Sequence, residues 1–385
     1  MKRPLPFRAI ALCAVTTALA ACGAKTGLLL PDVVTTPDAT LDAPDVVDVV
    51  DVVDVRDVVR GCVPGRFNLE ARAADILLVI DRSGSMGQSL GTSRTSKWRI
   101  VRDALNATLP QFQSQIQVGA VFYPEDGAET RTAACAFANI PSVDITPAFN
   151  TTSRVVGVFD STGPGGSTPT NAALLRGYTY FIRNPNRARA RYLVLATDGA
   201  PNCNAALNPT TCVCVRPGGR GGACASDGNN CLDDARTVAT IRQIAVNPVT
   251  PIPTYVIGIA GSDDVAFSQT LTAMAVAGGR PNRTATGEAT FYDVQREGDL
   301  TRAFTSIQNA IARCTFVAPS RPSDTDTISL TVNGVPVPRD TTHVNGWDWT
   351  DRAVGELTLF GAACPADVSP STNATATVEC HPDAG

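Results

Sequence analysis

Histidine, excess basic charge and long apolar runs are all scarce in this sequence. Its 385 residues include only two histidines, and 32 basic side chains face 36 acidic ones, which gives a formal net charge of −4. Because no stripe of Lys and Arg is available to neutralise phosphates, nucleic acid is excluded as an expected partner. Beyond the N-terminal segment no apolar run is long enough to cross a bilayer, so we expect no membrane-spanning helix.

Residues 1–21 are typical of an export signal. Basic residues precede the apolar run AIALCAVTTALA, which is too short to span a membrane. The tetrapeptide LAAC, Leu19–Cys22, resembles the bacterial lipoprotein signal, which implies cleavage before Cys22 and attachment of lipid to its thiol. Gly23, where such lipoproteins often carry Asp for retention at the inner membrane, favours the outer membrane. An ordinary secretory signal cleaved nearby is the alternative.

Cysteine is abundant, and its distribution agrees with export. Of twelve cysteines, Cys13 lies in the signal and Cys22 at the lipidation site, which leaves an even set of ten. In an oxidising compartment such a set predicts disulfide bonds. The alternative is a zinc site between residues 203 and 231, but the Cys212-x-Cys214 spacing there does not match paired C-x-x-C ligands and no histidine is near. The predicted disulfide cysteines are Cys62, Cys135, Cys203, Cys212, Cys214, Cys224, Cys231, Cys314, Cys364 and Cys380.

Residues 22–60 predict an extended acidic tether. The stretch DAPDVVDVVDVVDVRDVV repeats Asp at every third position from Asp45 to Asp57. A period of three places Asp alternately on both faces of a strand, so neither face is cleanly apolar. Like charges at this spacing also repel and extend the chain. Calcium binding by the Asp run is the alternative, but no glycine turns fold the carboxylates inward.

From residue 61 to residue 316 the sequence alternates between strand and helix patterns. In DILLVI, residues 75–80, an Asp is followed by a continuous apolar run, as expected of a strand buried on both faces. In TSKWRIVRDALNATL, residues 95–109, apolar side chains recur at helical spacing and stop at Pro110. Repetition of this alternation predicts an α/β domain, built as a doubly wound, mostly parallel open sheet with helices on both faces.

The C-terminal part has a different pattern, made of short strands. TISLTVNGVPVP predicts a hairpin with Asn333-Gly334 as a primed turn, and its prolines confine the second strand to a sheet edge. GWDWT, GELTLFGAAC and ATATVEC indicate further strands. Residues 317–385 are therefore predicted to form a small β-rich unit, in which Cys364 and Cys380 are available to each other.

Three segments would bring oxygen ligands to the carboxyl edge of the predicted sheet, where open α/β sheets bind ligands. The first, DRSGSMG, follows the strand DILLVI and contains Asp81, Ser83 and Ser85. The second is the loop GGSTPT, which contains Thr168 and opens a helix. The third is the strand end ATDG, which contains Asp198.

These motifs resemble the von Willebrand factor type A family and its metal-ion-dependent adhesion site. D-x-S-x-S, G-G-x-T-x-T and T-D-G occur in the family's order, and the resemblance covers about two thirds of the chain. It implies that Ser83, Ser85 and Thr168 ligate a divalent cation. It also implies that Asp81 and Asp198 hold that cation, largely through waters. Mg²⁺ is the expected ion, with Mn²⁺ and Ca²⁺ as alternatives.

The resemblance also implies a function. Mg²⁺ demands near-octahedral oxygen ligands and retains water, and neutral hydroxyl ligands leave the ion most of its charge. An open position on the ion would attract an Asp or Glu carboxylate from a partner protein. We therefore expect a protein-binding module of the bacterial cell envelope and not an enzyme.

Other interpretations of the same residues stay open. Asp81 and the serines would, without a metal, merely cap a helix and close a turn, or the metal would only stabilise the fold. Catalysis by Ser83 or Ser85 needs a base, but no G-x-S-x-G elbow is present, both histidines lie in the β-rich unit, and Lys97 lies on the first predicted helix. An intracellular metal-inserting motor, which also uses this family, is disfavoured by the export signal and the cysteines.

A cysteine-rich insert, residues 199–231, follows Asp198 and should stand on the binding edge. Its five cysteines are an odd number, so at least one needs an outside partner, for which Cys135 is the first candidate. Some type A domains clamp their ends together, which would imply a Cys62–Cys314 bond, although Cys62 could also serve another partner. The insert either shapes partner specificity or is a stabilised surface loop.

Overall fold

The computed structural model describes residues 62–112, 116–125, 134–136, 141–185, 189–215, 224, 227–247, 250–259, 265–282, 290–318, 322–323, 327–352, 355–364 and 373–381. All of them belong to one unit of the chain, Val53–Gly385. The predicted signal peptide, Cys22 and the acidic tether lie outside the described residues. Among the helices that are described, none combines the length and the apolar character needed to cross a membrane.

Within the described residues the chain forms thirteen strands and six α-helices. In chain order they are β1 (Gly65–Ala71), β2 (Ala74–Asp81), α1 (Lys97–Thr108), β3 (Ile116–Tyr123), β4 (Val143–Pro147), α2 (Ala148–Ser161), α3 (Thr170–Arg183), β5 (Ala190–Thr197), α4 (Asp234–Ala245), β6 (Thr254–Gly258), α5 (Val265–Ala277), β7 (Tyr292–Asp293), α6 (Glu297–Cys314), β8 (Thr315–Val317), β9 (Thr327–Val332), β10 (Val335–Val337), β11 (Gly346–Asp351), β12 (Glu356–Phe360) and β13 (Ala374–Glu379).

The first sheet has six strands in the order β4-β3-β2-β5-β6-β7, and all of them are parallel except the edge strand β4. From β2 the chain passes to β3 on one side and later crosses to β5 on the other side, so the strand order reverses between β2 and β5. Helices α1, α2 and α6 pack on one face, and α3, α4 and α5 pack on the other. The predicted doubly wound α/β fold is confirmed.

Burial on both faces explains the continuous apolar run of β2. Ile76, Leu78 and Ile80 lie in the core on the α1 side of the sheet. Leu77 and Val79 lie in the core on the α3 side. Burying each such side chain contributes about 1.5–3 kcal/mol, so the five positions from Ile76 to Ile80 all favour apolar residues.

A second, antiparallel sheet has seven strands in the order β10-β9-β13-β1-β8-β12-β11. Its core includes Leu69 from β1 and Trp347 from β11. The β-rich unit predicted at residues 317–385 therefore also takes in β1 and the first two residues of β8, which lie within residues 61–316. The reason is that β1 pairs with β13, and a local pattern does not show a partner at the far end of the chain.

The hairpin predicted at Asn333-Gly334 is confirmed. It joins β9 to β10, and the two turn residues have φ angles of 51° and 81°, as a primed turn requires. The second strand, β10, contains Pro336 and lies at the edge of its sheet, where the missing N–H of proline leaves no ladder bond unmade.

The ten cysteines predicted to be oxidised form five disulfides. Cys62 is bonded to Cys380 and Cys314 to Cys364, so the suggested pairings Cys62–Cys314 and Cys364–Cys380 are wrong. The second sheet explains the difference, because β1 pairs antiparallel with β13 and so brings Cys62, three residues before β1, next to Cys380, which directly follows β13.

The cysteine-rich insert is joined to the rest of the chain as predicted, by a Cys135–Cys203 bond. Its other cysteines pair internally as Cys212–Cys231 and Cys214–Cys224. The sulfurs of Cys212, Cys214 and Cys224 lie within 4.8 Å of one another. Each is held in a disulfide, however, and zinc binds the thiolate form, so the structure favours disulfides over the zinc alternative.

Candidate functional site

The three segments predicted to carry ligands meet at one edge of the six-stranded sheet. β2 and β5 are neighbouring parallel strands, so the loops that follow them leave from the same edge, at the point where the strand order reverses. Two backbone hydrogen bonds join the loop after β2 to the GGSTPT loop, from Gly84 N to Gly166 O (3.1 Å) and from Gly165 N to Arg82 O (2.8 Å).

Asp81 is fully buried at the end of β2, and both of its carboxylate oxygens are occupied. Oδ1 accepts a hydrogen bond from the Ser83 backbone N–H at 2.7 Å. Oδ2 accepts one from the Thr197 hydroxyl at 2.6 Å. Asp81 therefore fixes the serine loop, residues 82–87, to the end of β5. This position suits a carboxylate that orients the direct ligands of an ion without binding the ion itself.

The two serine hydroxyls of the D-x-S-x-S loop lie close to Asp198. Ser83 Oγ and Ser85 Oγ are 3.0 Å apart. Ser85 Oγ donates to Asp198 Oδ1 at 2.8 Å. Ser83 and Asp198 are buried, whereas Ser85 is half-buried, so Ser85 is the most exposed of these three residues.

Thr168 borders the same space across Gly199. A β-carbon placed on Gly199 would lie 3.3 Å from Thr168 Oγ1 and 3.7 Å from Ser85 Oγ, so a side chain there would fill the space between the two hydroxyls. The backbone of Thr168 is held by Asn202. Thr168 N–H donates to Asn202 Oδ1 at 2.8 Å, and Asn202 N–H donates to Thr168 O at 3.0 Å.

A disulfide joins the two segments that contact the GGSTPT loop, residues 165–170, or threonine loop. Ala134 O accepts from Ser167 N–H at 2.8 Å, and Asn202 binds the Thr168 backbone. Ala134 and Asn202 are the neighbours in sequence of the two cysteines of the Cys135–Cys203 bond. The covalent bond therefore ties together both segments that position the loop.

Two contacts at the site were missed by sequence reasoning. Lys97, the first residue of α1, is 8% exposed, and its Nζ donates to Asp198 Oδ2 at 2.9 Å. The available signal was a lysine in the first turn of a helix, where the positive end of the helix dipole disfavours a cation. Asn202 gave no signal beyond its position four residues after Asp198.

Burial sets the electrostatics of the two carboxyl groups. Burial, reinforced by the negative charge of Asp198, raises the pKa of the Asp81 carboxyl to about 7. Burial also raises the pKa of Asp198, against the opposing effects of the Lys97 ammonium and the serine hydroxyls. Two buried carboxylates at one point are costly unless positive charge faces them, and a divalent cation would supply that charge.

The donor set fits Mg²⁺. The candidate ligands are all oxygens, which hard divalent cations prefer. Mg²⁺ holds its ligands at about 2.0–2.1 Å, so neighbouring ligands in an octahedron lie about 3.0 Å apart. The hydroxyls of Ser83 and Ser85 have this separation, 3.0 Å, and Thr168 Oγ1 borders the same space.

The fold and the site define a known class of domain. The family model of the von Willebrand factor type A domain matches residues 76–200, which include Asp81, Ser83, Ser85, Thr168 and Asp198. Residues 76–200 therefore belong to the von Willebrand factor type A family, as their motifs indicated. No curated protein sequence matches the chain.

Several solved structures are similar to this chain at low identity. The minor pilin PilB from Streptococcus sanguinis is 18% identical, with a TM-score of 0.43 over 63% of this chain and 62% of the pilin. The pilus adhesin SpaC from Lactobacillus rhamnosus GG is 14% identical, with a TM-score of 0.44 over 82% of this chain and 42% of the adhesin. Manganese-loaded TRAP from Plasmodium vivax is 13% identical, with a TM-score of 0.40 over 83% and 100%. This chain thus spans less than two thirds of PilB and of SpaC.

Proposed function

We propose that this chain is a protein-binding module of the cell envelope, which captures an Asp or Glu carboxylate of a partner through a divalent cation. Ser83, Ser85 and Thr168 would ligate the ion, and Asp81 and Asp198 would hold it, largely through waters. The observation that carries the proposal is the convergence of hydroxyls and carboxylates from three separate segments at one sheet edge. Mg²⁺ is the expected ion, with Mn²⁺ and Ca²⁺ as alternatives.

The chain's own residues would prepare the site for a ligand. A bound ion would supply positive charge, most of which neutral hydroxyl ligands leave in place. Asp81 fixes the serine loop through its bonds to the Ser83 N–H and the Thr197 hydroxyl. Asp198 orients the Ser85 hydroxyl. A partner carboxylate would complete the coordination, so capture depends on both the metal and the negative charge.

The envelope location is part of the proposal. Five disulfides support folding in an oxidising compartment. Together with the export signal and Cys22, they support a lipid-anchored protein, on the outer membrane. The tether over residues 22–60 would hold the binding edge away from the membrane, at about 3.1 Å per extended residue.

Binding is proposed here in place of catalysis. A serine nucleophile needs a base, but Lys97 pairs with Asp198 and not with a serine hydroxyl. His343, in the segment between β10 and β11, has its Nε2 2.9 Å from Asp348 Oδ2, and its ring stacks on Phe360. Turnover of a substrate that Ser85→Ala removes, and that EDTA leaves intact, would support a hydrolase instead.

Capture of envelope proteins tests the proposal. The immobilised protein is incubated with envelope extract in millimolar Mg²⁺ and again in EDTA. Ser85→Ala removes a ligating hydroxyl, and Ser329→Ala, at an exposed position of β9, is the matched control. We expect the wild type and Ser329→Ala to retain the same partners only with Mg²⁺, and Ser85→Ala to lose them. Recovery of the same proteins in both buffers would remove the metal from the mechanism.

A structural ion is the second candidate, and the burial of Asp81 and Asp198 favours it. Thermal unfolding separates the two functions. A binding site predicts that the metal-free protein stays folded and that Ser85→Ala, at a half-buried hydroxyl, abolishes capture with little change in melting temperature. A structural site predicts collapse of the fold in EDTA and in Ser85→Ala, beyond the modest stabilisation that any bound ion gives by mass action.

A further inference from the structure

Lys97 places a buried positive charge directly against the candidate metal site. Its side chain is 10% exposed, and Nζ lies 2.9 Å from Asp198 Oδ2. The other oxygen of the same carboxylate, Oδ1, accepts from the Ser85 hydroxyl. Asp198 thus links the ammonium on one side to the hydroxyl ligands on the other.

Lysine is itself rare in this chain. The sequence contains 29 arginines and three lysines, and Lys97 is the only lysine after residue 25. An ammonium is a compact point charge, whereas a guanidinium is a planar fork that tends to engage both oxygens of a carboxylate. Because Ser85 already uses Oδ1 of Asp198, a single-point contact to Oδ2 leaves the hydroxyl ligand undisturbed.

Stability alone does not explain this ion pair. Lys97 is the first residue of α1, where the positive end of the helix dipole disfavours a cation. Burying two charges also carries a desolvation cost, and replacing a buried pair by well-packed apolar residues is often neutral or stabilising. The contact with Asp198 therefore points to a role in the chemistry of the site.

The formal charges show what Lys97 changes. Asp81 and Asp198 carry two negative charges when ionised, and Lys97 reduces the net charge of the three residues to −1. A divalent ion would then leave the site at +1, whereas without the lysine the loaded site would be neutral. Repulsion from the ammonium weakens ion binding, and the surplus positive charge strengthens the attraction for an incoming carboxylate.

We propose that Lys97 is a specificity-determining residue of this site. It lowers the affinity for the cation and keeps the loaded site positively charged, so that an Asp or Glu side chain of a partner is preferred over a neutral Asn or Gln. This inference rests on the proposed function, and the two can fail separately.

Mg²⁺ binding to the purified full-length protein, measured by isothermal titration calorimetry, tests the first half. Lys97→Met removes the charge and keeps an unbranched side chain. Arg99→Met is the matched control, because it removes one positive charge from an exposed position of α1 whose ion pair is with Asp103. We expect Lys97→Met to bind Mg²⁺ at least about tenfold more tightly than the wild type, and Arg99→Met to stay within about twofold.

Preference between a Glu-containing peptide and its Gln counterpart, measured on the Mg²⁺-saturated protein, tests the second half. We expect the wild type to prefer the Glu peptide and Lys97→Met to lose at least about threefold of that preference. Lys97→Gln, which keeps a hydrogen-bond donor, should show the same two shifts and serves if Lys97→Met does not fold.

Unchanged or weaker Mg²⁺ binding in the folded neutral variants, or an unchanged Glu preference, would overturn the role of Lys97. A wild-type protein that binds no Mg²⁺ at all contradicts the proposed function instead. The NMR resonance of the Lys97 side chain gives an independent readout. In protein grown with ε-¹³C lysine, the resonance that Lys97→Met removes should shift when Mg²⁺ is added, and a resonance that stays in place would contradict contact between the ammonium and the loaded site.

Discussion

At the residue scale, the buried carboxyl of Asp81 makes the metal-free site sensitive to pH. Its pKa of about 7 in the folded state lies above the ordinary value of 3.8, so the folded protein binds this proton more tightly than the unfolded chain does. The stabilisation is fully present below the unfolded pKa and is lost as the pH rises through the folded pKa. Metal binding has the opposite dependence, because it requires the ionised carboxylates.

Urea unfolding in EDTA at about pH 5 and pH 8 checks this prediction. The free energy of unfolding of the wild type, relative to Asp81→Asn, should fall between the lower and the higher pH. Addition of Mg²⁺ should stabilise the wild type more at the higher pH. Parallel pH profiles for the two proteins would show that Asp81 is ionised throughout.

Thr168 and Thr170 provide a matched pair for testing the ligand assignment. Thr168 Oγ1 borders the space shared with Ser85, whereas Thr170 begins α3 and its Oγ1 lies 3.4 Å from the hydroxyl of Tyr123. Replacing a threonine by valine removes the hydroxyl and keeps the shape. Thr168→Val should lower the Mg²⁺ affinity by about 10–100-fold, and Thr170→Val should leave it nearly unchanged. Calorimetric titration measures both, and equal losses would contradict the assignment.

The residues that sequence reasoning could place are those that follow buried strands. Asp81 ends β2 and Asp198 directly follows β5, so the fold class alone puts them at one sheet edge. The contacts of Lys97 and Asn202 could not be placed in this way. They depend on the positions of the first residue of α1 and of the loop that follows β5, and tertiary packing decides both positions.

At the scale of elements, the Cys135–Cys203 bond couples the insert to the threonine loop. The residues beside the two cysteines hydrogen-bond to Ser167 and Thr168, so losing the bond should loosen a ligand as well as the insert. We expect Cys135→Ser with Cys203→Ser to weaken Mg²⁺ binding about tenfold. Cys314→Ser with Cys364→Ser removes a different disulfide and should leave the affinity of the folded protein unchanged. Equal affinities in the two double variants would show that the bond does not position the loop.

Elements with strong periodicity were predictable, and short strands were not. The predicted helix over residues 95–109 is α1, Lys97–Thr108, and the run DILLVI lies within β2. β4, Val143–Pro147, is a strand that no sequence pattern indicates. Its five residues hold too few alternations to stand out, and its antiparallel pairing with β3 is a tertiary contact.

At the scale of the whole molecule, the second sheet and the candidate site lie at opposite ends of strand β2. β1 ends at Ala71 and β2 begins at Ala74, so the second sheet joins the first where β2 starts, at the opposite end of that strand from Asp81. In this sheet β1, from the start of the described chain, lies between β13 and β8, from its C-terminal part. A boundary drawn from the sequence between residues 316 and 317 therefore divides the second sheet.

The Cys62–Cys380 bond joins β1 to β13 of the second sheet and links residues 318 positions apart in the sequence. Its removal by Cys62→Ser with Cys380→Ser should lower the free energy of unfolding by about 2–5 kcal/mol, because the unfolded chain gains freedom. The affinity of the folded variant for Mg²⁺ should not change, since the bond lies at the other end of β2. Chemical unfolding and calorimetry measure the two quantities. A parallel loss of metal affinity would mean that the sheets are energetically coupled.

Anomalous diffraction from a crystal of this protein soaked in Mn²⁺ tests the central claim most directly. We expect one strong manganese peak at the carboxyl edge of β2 and β5, within coordination distance of the hydroxyl oxygens of Ser83, Ser85 and Thr168. The Ser85→Ala crystal should show that peak weakened or absent. A wild-type crystal with no manganese at this edge, or with manganese bound only elsewhere, would contradict the claim that these residues share a cation.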